Sequence, residues 1–197
     1  MVTRLLFTVF VLAIAVQRLL EVRRSGENER RLRARGAREH APRHFRAMQL
    51  LHGAWFAAML LEVWLLRPAF EPWLALGAGA AFALGQVLRV AAMRALGERW
   101  SVRILTLPGE PPVQHGVYRY VRHPNYAGVV LEIAALPLLH GAVYTALGFS
   151  LANAALLWLR IREEERALGD DSDYAAHFAA RPRFLPRFDA SRSRGAP

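Results

Sequence analysis

Residues 73–88 read Trp73-Leu-Ala-Leu-Gly-Ala-Gly-Ala-Ala-Phe-Ala-Leu-Gly-Gln-Val-Leu88, with Gln86 the one strongly polar side chain. A helix on the surface of a soluble protein needs a polar stripe opposite its apolar one. One glutamine does not make a stripe, so this stretch predicts a helix bathed in lipid. Four more apolar stretches flank it. Leu5 to Val16 is broken only by Thr8 and continues in helical period through Gln17-Arg-Leu-Leu20. Ala47 to Leu66 is interrupted only by Gln49, His52 and Glu62. Ala127 to Leu139 and Ala142 to Leu159 are separated by His140-Gly141, which predicts a tight turn. A bilayer core about 30 Å thick takes roughly 20 helical residues to cross. The second, third and fifth stretches reach that length with their flanks. The first needs its polar tail, and the fourth is short, so the last two read as a C-terminal helical hairpin.

Composition agrees with this segregation. The chain has 197 residues, 54% hydrophobic and 21% charged, with a formal charge of +10. Its mean hydropathy is nevertheless positive, +0.14. The length allows one domain or two very small ones; the expectation is a single domain over 1–197, with three spans in 1–96. The absence of cysteine excludes a disulfide framework, a zinc-thiolate site and a cysteine nucleophile. Fold class is therefore expected to be all-α, a polytopic membrane protein of about five transmembrane helices. Arg4 ahead of an apolar run and Ala13-Ile14-Ala15 resemble a signal peptide, but the helical continuation to Val22 favours a retained span.

All 26 basic residues are arginine, and their placement predicts orientation. Residues 23–46 form an expected loop with nine arginines against three glutamates. The loop from Arg67 to Pro72 has one arginine. Arg89, Arg94, Arg99, Arg103, Arg119 and Arg122 follow the third span, and Arg181, Arg183, Arg187, Arg192 and Arg194 lie in the tail. The positive-inside rule puts these basic segments in the cytoplasm and, with five spans, the N-terminus outside. The charge marks orientation and contact with anionic membrane lipid; a nucleic-acid partner is not expected, because no recognition motif or interleaved aromatics accompany it. Gly77, Ala81 and Gly85 recur on one face of the third span, a common helix-packing signal.

Two polar regions are not explained by lipid. One is Gly116-Val-Tyr-Arg-Tyr-Val-Arg-His-Pro-Asn-Tyr-Ala-Gly128. Pro124 pushes His123 toward extended backbone and starts the fourth helix among Pro124, Asn125 and Tyr126, whose free N–H groups suit an anion. Tyr118, Tyr120 and Tyr126 offer aromatic faces to a cation; equally, they suit a membrane interface. The other region is Arg160-Ile-Arg-Glu-Glu-Glu-Arg-Ala-Leu168, where Arg160 and Glu164 share a face. By itself that pair reads as an exposed ion pair of little energetic weight. His40 and His44 have the spacing of a metal pair but no clear third ligand, so a solvated loop is expected and no metal site. His52 and Glu62 are expected to pair with neighbouring helices or snorkel. Glu132 either lines a tunnel or makes a buried interhelical hydrogen bond.

Gly116-x-Tyr-x-x-x-Arg-His-Pro-x-Tyr-x-Gly128, an apolar hairpin and then Arg160-x-x-x-Glu164 resemble the isoprenylcysteine carboxyl methyltransferase family of integral membrane enzymes. The resemblance runs from about Trp100 to Pro186 and includes Asp173-Tyr174 and Arg181-Pro-Arg-Phe-Leu-Pro186. It is greatest to small bacterial members, through Leu107-Pro-Gly, Arg122-His-Pro-Asn-Tyr, Leu131-Glu-Ile and Pro137-Leu. Some of these methylate lipidic pyrones or phenols.

The resemblance implies S-adenosyl-L-methionine as cofactor, held in region 97–190 at the cytoplasmic face of a bacterial inner membrane. Val113, Tyr118, His123, Pro124, Asn125 and Tyr126 would wrap it, and Glu164 would take its ammonium group. Glu110-Pro-Pro112 departs from the family's more polar pattern, which weakens the assignment of Val113. Arg160 would face a lipidic methyl acceptor, and Glu132, where it lines the tunnel, would do so from the hairpin. The expected reaction is methyl transfer to an oxygen of that acceptor, a carboxylate or an enol or phenol. A carboxylate or acidic enol needs no base, and Arg160 then orients an anion. A neutral phenol needs one, with Glu163 or His123 the nearest candidates. The rivals are a phospholipid N-methyltransferase and a non-catalytic scaffold or transporter subunit. Neither the acceptor nor the oligomeric state follows from the sequence.

Overall fold

The computed structural model describes residues 1–186; the expected basic positions Arg187, Arg192 and Arg194, and the end of the 97–190 region, lie outside it. The described chain is mainly helical. Helix α1 is Val2–Ala34, α2 Pro42–Leu65, α3 Pro72–Leu96, α4 Pro124–Leu138, α5 Val143–Asp171 and α6 Tyr174–Phe178. Helices α1 and α2, and α3 with the 3-10 turn that follows it, are long and apolar enough to cross a membrane.

The basic segment 23–46 departs from the expected loop. Helix α1 continues through Arg23–Ala34, and Pro42 already opens α2. Its 33 residues make a rod about 50 Å long at 1.5 Å per residue, so its charged end projects past any bilayer core. Between α1 and α2, β1 (Arg38–His40) pairs antiparallel with β2 (Ile104–Thr106), with Arg38 opposite Thr106 and His40 opposite Ile104. This short ladder is the departure from an all-α fold. It also removes His40 from the expected solvated loop, since its Nε2 lies 2.8 Å from Thr106 Oγ1.

The core sits among the first five helices. Phe7, Val11 and Ile14 of α1 meet Trp55, Met59 and Val63 of α2, Phe82 of α3, and Val129, Ile133 and Leu136 of α4. Trp55 donates its indole N–H to the Ile133 carbonyl at 3.2 Å. Leu6, Leu12, Leu19, Leu65, Leu76, Val87, Leu151 and Trp158 are exposed, an outer apolar surface far larger than a water-soluble monomer tolerates.

Helices α3 and α4 touch backbone to backbone. A Cβ on Gly128 would lie 2.6 Å from Arg89 Cγ and 2.7 Å from the Gly85 carbonyl oxygen. Of the expected small-residue face, Gly85 makes this contact, whereas Gly77 has nothing within 4 Å. The predicted hairpin turn forms at Gly141, whose φ of +70° is open to glycine without a Cβ penalty. Glu62 caps α5: its carboxylate accepts from the Tyr144 N–H at 3.1 Å and from Thr145 N–H and Oγ1 at 2.7 and 2.6 Å. That bond set supplies acceptors for N–H donors that a helix start otherwise leaves unpaired.

Candidate active site

Three residues join the two motifs. Tyr126, in the first turn of α4, donates its hydroxyl proton to Glu164 of α5 and accepts from Arg160 Nε at 2.8 Å. Arg160 also donates from Nη2 to the Val102 carbonyl at 2.6 Å. Leu157, Arg160, Ile161 and Ala167 are the buried residues of this half of α5, so the arginine sits on the inward stripe and is 5% exposed. A guanidinium this buried needs hydrogen-bond partners, and the tyrosine and carbonyl supply them to Nε and Nη2.

His123 precedes the helix and stacks on Tyr126, ring centroids 5.4 Å apart at 19°. Its Nε2 donates to Glu165 Oε1 at 2.9 Å. Residues after α6 fold back across this corner. The Arg122 and His123 amides donate to the carbonyls of Pro182 and Arg183 at 3.0 and 2.9 Å. Arg183 grips Glu165 with two bonds, and Arg181 reaches the Tyr118 carbonyl at 2.9 Å. Burial alone would raise the Glu165 carboxyl, but the bonds from His123 and Arg183 outweigh it and hold it at about 2. Burial, reinforced by the nearby Glu164 charge, pushes the Tyr118 phenol above the ordinary tyrosine range, so it stays neutral.

Two cavities flank this chain of bonds. The first, about 130 Å³, is walled by Val113, Tyr118, His123, Glu164, Tyr174 and Phe178, together with the 99–112 segment. The second, about 150 Å³, lies among α1–α5, with Arg160, Tyr126, Asn125, His52, Arg89 and Arg18 on a mainly apolar wall. Glu164 therefore borders one cavity and Arg160 the other, bridged by Tyr126.

The sequence-predicted residues divide accordingly. Val113, Tyr118, His123 and Glu164 line the first cavity, and Asn125, Tyr126 and Arg160 the second. Pro124 is buried as the first residue of α4 and lines neither. Glu132 lines neither as well: it belongs to an interhelical ion network, accepting from Arg18 Nη2 at 2.8 Å with Arg89 Nε at 3.5 Å. Glu21 completes that network by accepting from Arg18 and Arg89. Glu163 turns away, paired with Arg166 at 3.0 Å on the outside of α5. Glu165, Arg18, Glu21, Arg89 and His52 were not singled out as site residues; the adjacency of Glu165 to Glu164 and the polar break that His52 makes in its span were the signals that could have found them.

Comparison with known proteins places these features in a family. Residues 75–170, from within α3 to the end of α5, match the sequence model of the isoprenylcysteine carboxyl methyltransferase (ICMT) family. The uncharacterized protein YpbQ of Bacillus subtilis is 36% identical over 167 residues, covering 85% of this chain and 99% of the relative. An uncharacterized protein of Haemophilus influenzae is 31% identical over 143 residues, 72% of this chain and 82% of the relative. The solved structure of a eukaryotic intramembrane Ras methyltransferase ICMT is 23% identical with a TM-score of 0.46, covering 67% of this chain. The match spans 47% of that enzyme, under half its length. The chain belongs to the isoprenylcysteine carboxyl methyltransferase family of integral membrane proteins.

Proposed function

We propose that this protein transfers a methyl group from S-adenosyl-L-methionine to an oxygen of a lipidic acceptor inside the membrane. The observation that carries the reading is the pair of cavities sharing the Glu164–Tyr126–Arg160 chain. A water-soluble cofactor and a lipidic acceptor need separate approaches that converge on one point, and this arrangement supplies them.

The first cavity suits the cofactor. Its wall sets the Glu164 carboxylate among the rings of Tyr118, His123, Tyr174 and Phe178, while the other two lining carboxylates, Glu110 and Asp171, are engaged by Arg35 and Thr106. The combination matches a ligand with an ammonium, a sulfonium and an aromatic base. When bound, that cofactor supplies an already activated methyl group. Glu164 would hold the ammonium, with Val113, Tyr118 and His123 around the rest. Tyr126 fixes the Glu164 carboxylate, and the neutral Tyr118 presents a ring without a competing charge. The remaining work of the chain is alignment and exclusion of water, which the folded-back residues 179–186 support by closing over His123.

Arg160 faces the acceptor cavity, beside Arg18 and Arg89. Glu21 and Glu132 balance Arg18 and Arg89, which leaves the Arg160 guanidinium on the cavity wall to favour an oxygen acceptor that is or becomes anionic. It disfavours an aminolipid, which arrives as a cation. In this reading one domain spans five helices, with α4–α5 as the hairpin and the site on the cytoplasmic side of a bacterial inner membrane. Labelled-methyl transfer by the protein in vesicles, offered a prenylcysteine, an alkylpyrone and an ethanolamine lipid, tests it. Label in either oxygen acceptor is expected; label confined to the ethanolamine lipid overturns the oxygen assignment.

A further inference from the structure

The acceptor cavity contains one imidazole. His52, on α2, lines it together with Arg160, Tyr126 and Asn125. Its Nδ1 lies 2.9 Å from the Met48 carbonyl one turn back. A carbonyl only accepts, so Nδ1 carries the proton; in the neutral ring Nε2 is then a hydrogen-bond acceptor. Trp55 packs edge-on against the ring, centroids 6.1 Å apart at 79°, and holds its plane.

The charged and titratable groups facing this cavity are Arg18 and Glu21 from α1, Arg89 from α3, Tyr126 from α4 and Arg160 from α5. None of the others is available to take a proton. The guanidiniums cannot. Glu21 already accepts from Gln17, Arg18 and Arg89, and Tyr126 donates to Glu164. The two bases suggested by sequence are elsewhere: Glu163 on the outer face of α5, and His123 on the first cavity with its Nε2 bound to Glu165.

We infer that His52 is the proton acceptor when the lipidic acceptor enters this cavity with its O–H intact. The inference rests on the methyl-transfer reading above. The O–H bond breaks and the proton passes to His52 Nε2. The oxygen electron pair forms the new O–CH3 bond, and the methyl–sulfur bond breaks with its electrons remaining on sulfur. The sulfonium becomes a neutral thioether, and its positive charge ends on the imidazolium, which releases the proton to solvent. A neutral phenol is a far weaker acid than an imidazolium, so the proton does not move spontaneously. Transfer is completed as the O–C bond forms and the oxygen loses basicity, and the Arg160 guanidinium assists by favouring negative charge on oxygen. A carboxylate needs none of this.

The test compares wild type with His52→Gln on alkylphenols of graded acidity and on an alkyl carboxylate of the same chain length. Affinity for S-adenosylhomocysteine is measured in parallel by calorimetry. The variant is expected to lose about 10²-fold or more in kcat/KM on the least acidic phenol, the range of general-base catalysis. That loss should shrink steadily as acceptor acidity rises, with cofactor-product affinity unmoved. Equal losses on phenols and carboxylate, no loss on the weakest acid, or a wild type that turns over only carboxylates each overturn the role of His52. Failure of wild type to bind S-adenosylhomocysteine instead overturns the function on which it rests.

Discussion

The His123 ring and the Glu165 carboxylate are 2.9 Å apart, and the same carboxylate holds Arg183 through bonds of 3.0 and 2.6 Å. One acidic residue thus fixes the orientation of a cofactor-cavity ring and fastens the folded-back end of the described chain. Arg183 is about half exposed, 48%, so its part is worth about 1 kcal/mol or less; the buried His123 bond carries more.

Titration of Glu165 gives this clamp a pH dependence. Its folded carboxyl sits at about 2 against an ordinary 4.5. A depressed acid contributes stability that is complete above its unfolded value and is lost as pH falls through its folded value. The Glu165 contribution to the clamp is therefore complete above about pH 4.5 and is lost from there down to about 2. Hydrogen exchange of the His123 amide, bonded to the Arg183 carbonyl, should accelerate several-fold relative to intrinsic rates over that acid window, and Glu165→Gln should show the faster exchange at neutral pH.

The α3–α4 contact leaves no room for a side chain. Gly128→Ala drives a Cβ into Arg89 and the Gly85 carbonyl, so the helices must part, at a cost of about 1–3 kcal/mol. Gly77→Ala, with nothing within 4 Å, should be neutral or stabilising by up to about 1 kcal/mol. Thermal unfolding in one detergent distinguishes the two.

Glu132 is 4% exposed and bonded to Arg18, with Arg89 beside it. Glu132→Gln leaves buried Arg89 and largely covered Arg18 with the single carboxylate of Glu21. A broken buried pair of this kind costs about 3–5 kcal/mol, a clear drop in detergent melting temperature. The double variant Glu132→Gln/Arg18→Gln should recover part of that loss, since it removes the uncompensated charge.

Tyr126→Phe deletes the hydroxyl that links Arg160 to Glu164 while keeping the ring stacked on His123. Hydrogen bonds to charged groups are worth about 1.5–3 kcal/mol, so kcat/KM for methyl transfer should fall roughly 10- to 100-fold. Helix content by circular dichroism should not change.

Much of this was legible in the chain. Residues 73–88 read as a helix without a polar face, and they lie inside α3. His140-Gly141 marked the hairpin turn, and Pro124 the start of α4, because proline and glycine impose backbone conformation locally. Arg23–Ala34 was misread as loop because charge excludes a segment from lipid without excluding it from a helix; α1 simply runs out of the apolar region. The β1–β2 ladder is three residues a side, too short for a periodic signal. The Arg18–Glu21–Arg89–Glu132 network unites α1, α3 and α4, and no local pattern announces a partner more than a hundred residues away. His52 was visible only as a polar break in a span, and its cavity neighbours come from four other helices.

Binding at Glu164 is the most direct test of the account as a whole. Isothermal titration of the detergent-purified protein with S-adenosylhomocysteine should give saturable one-to-one binding. Glu164→Gln should weaken it about ten-fold or more, in line with loss of a charged hydrogen bond, and Glu163→Gln, altering the outward neighbour paired with Arg166, should leave it unchanged. No binding by wild type, or equal affinities for Glu164→Gln and Glu163→Gln, would contradict a cofactor site built on Glu164.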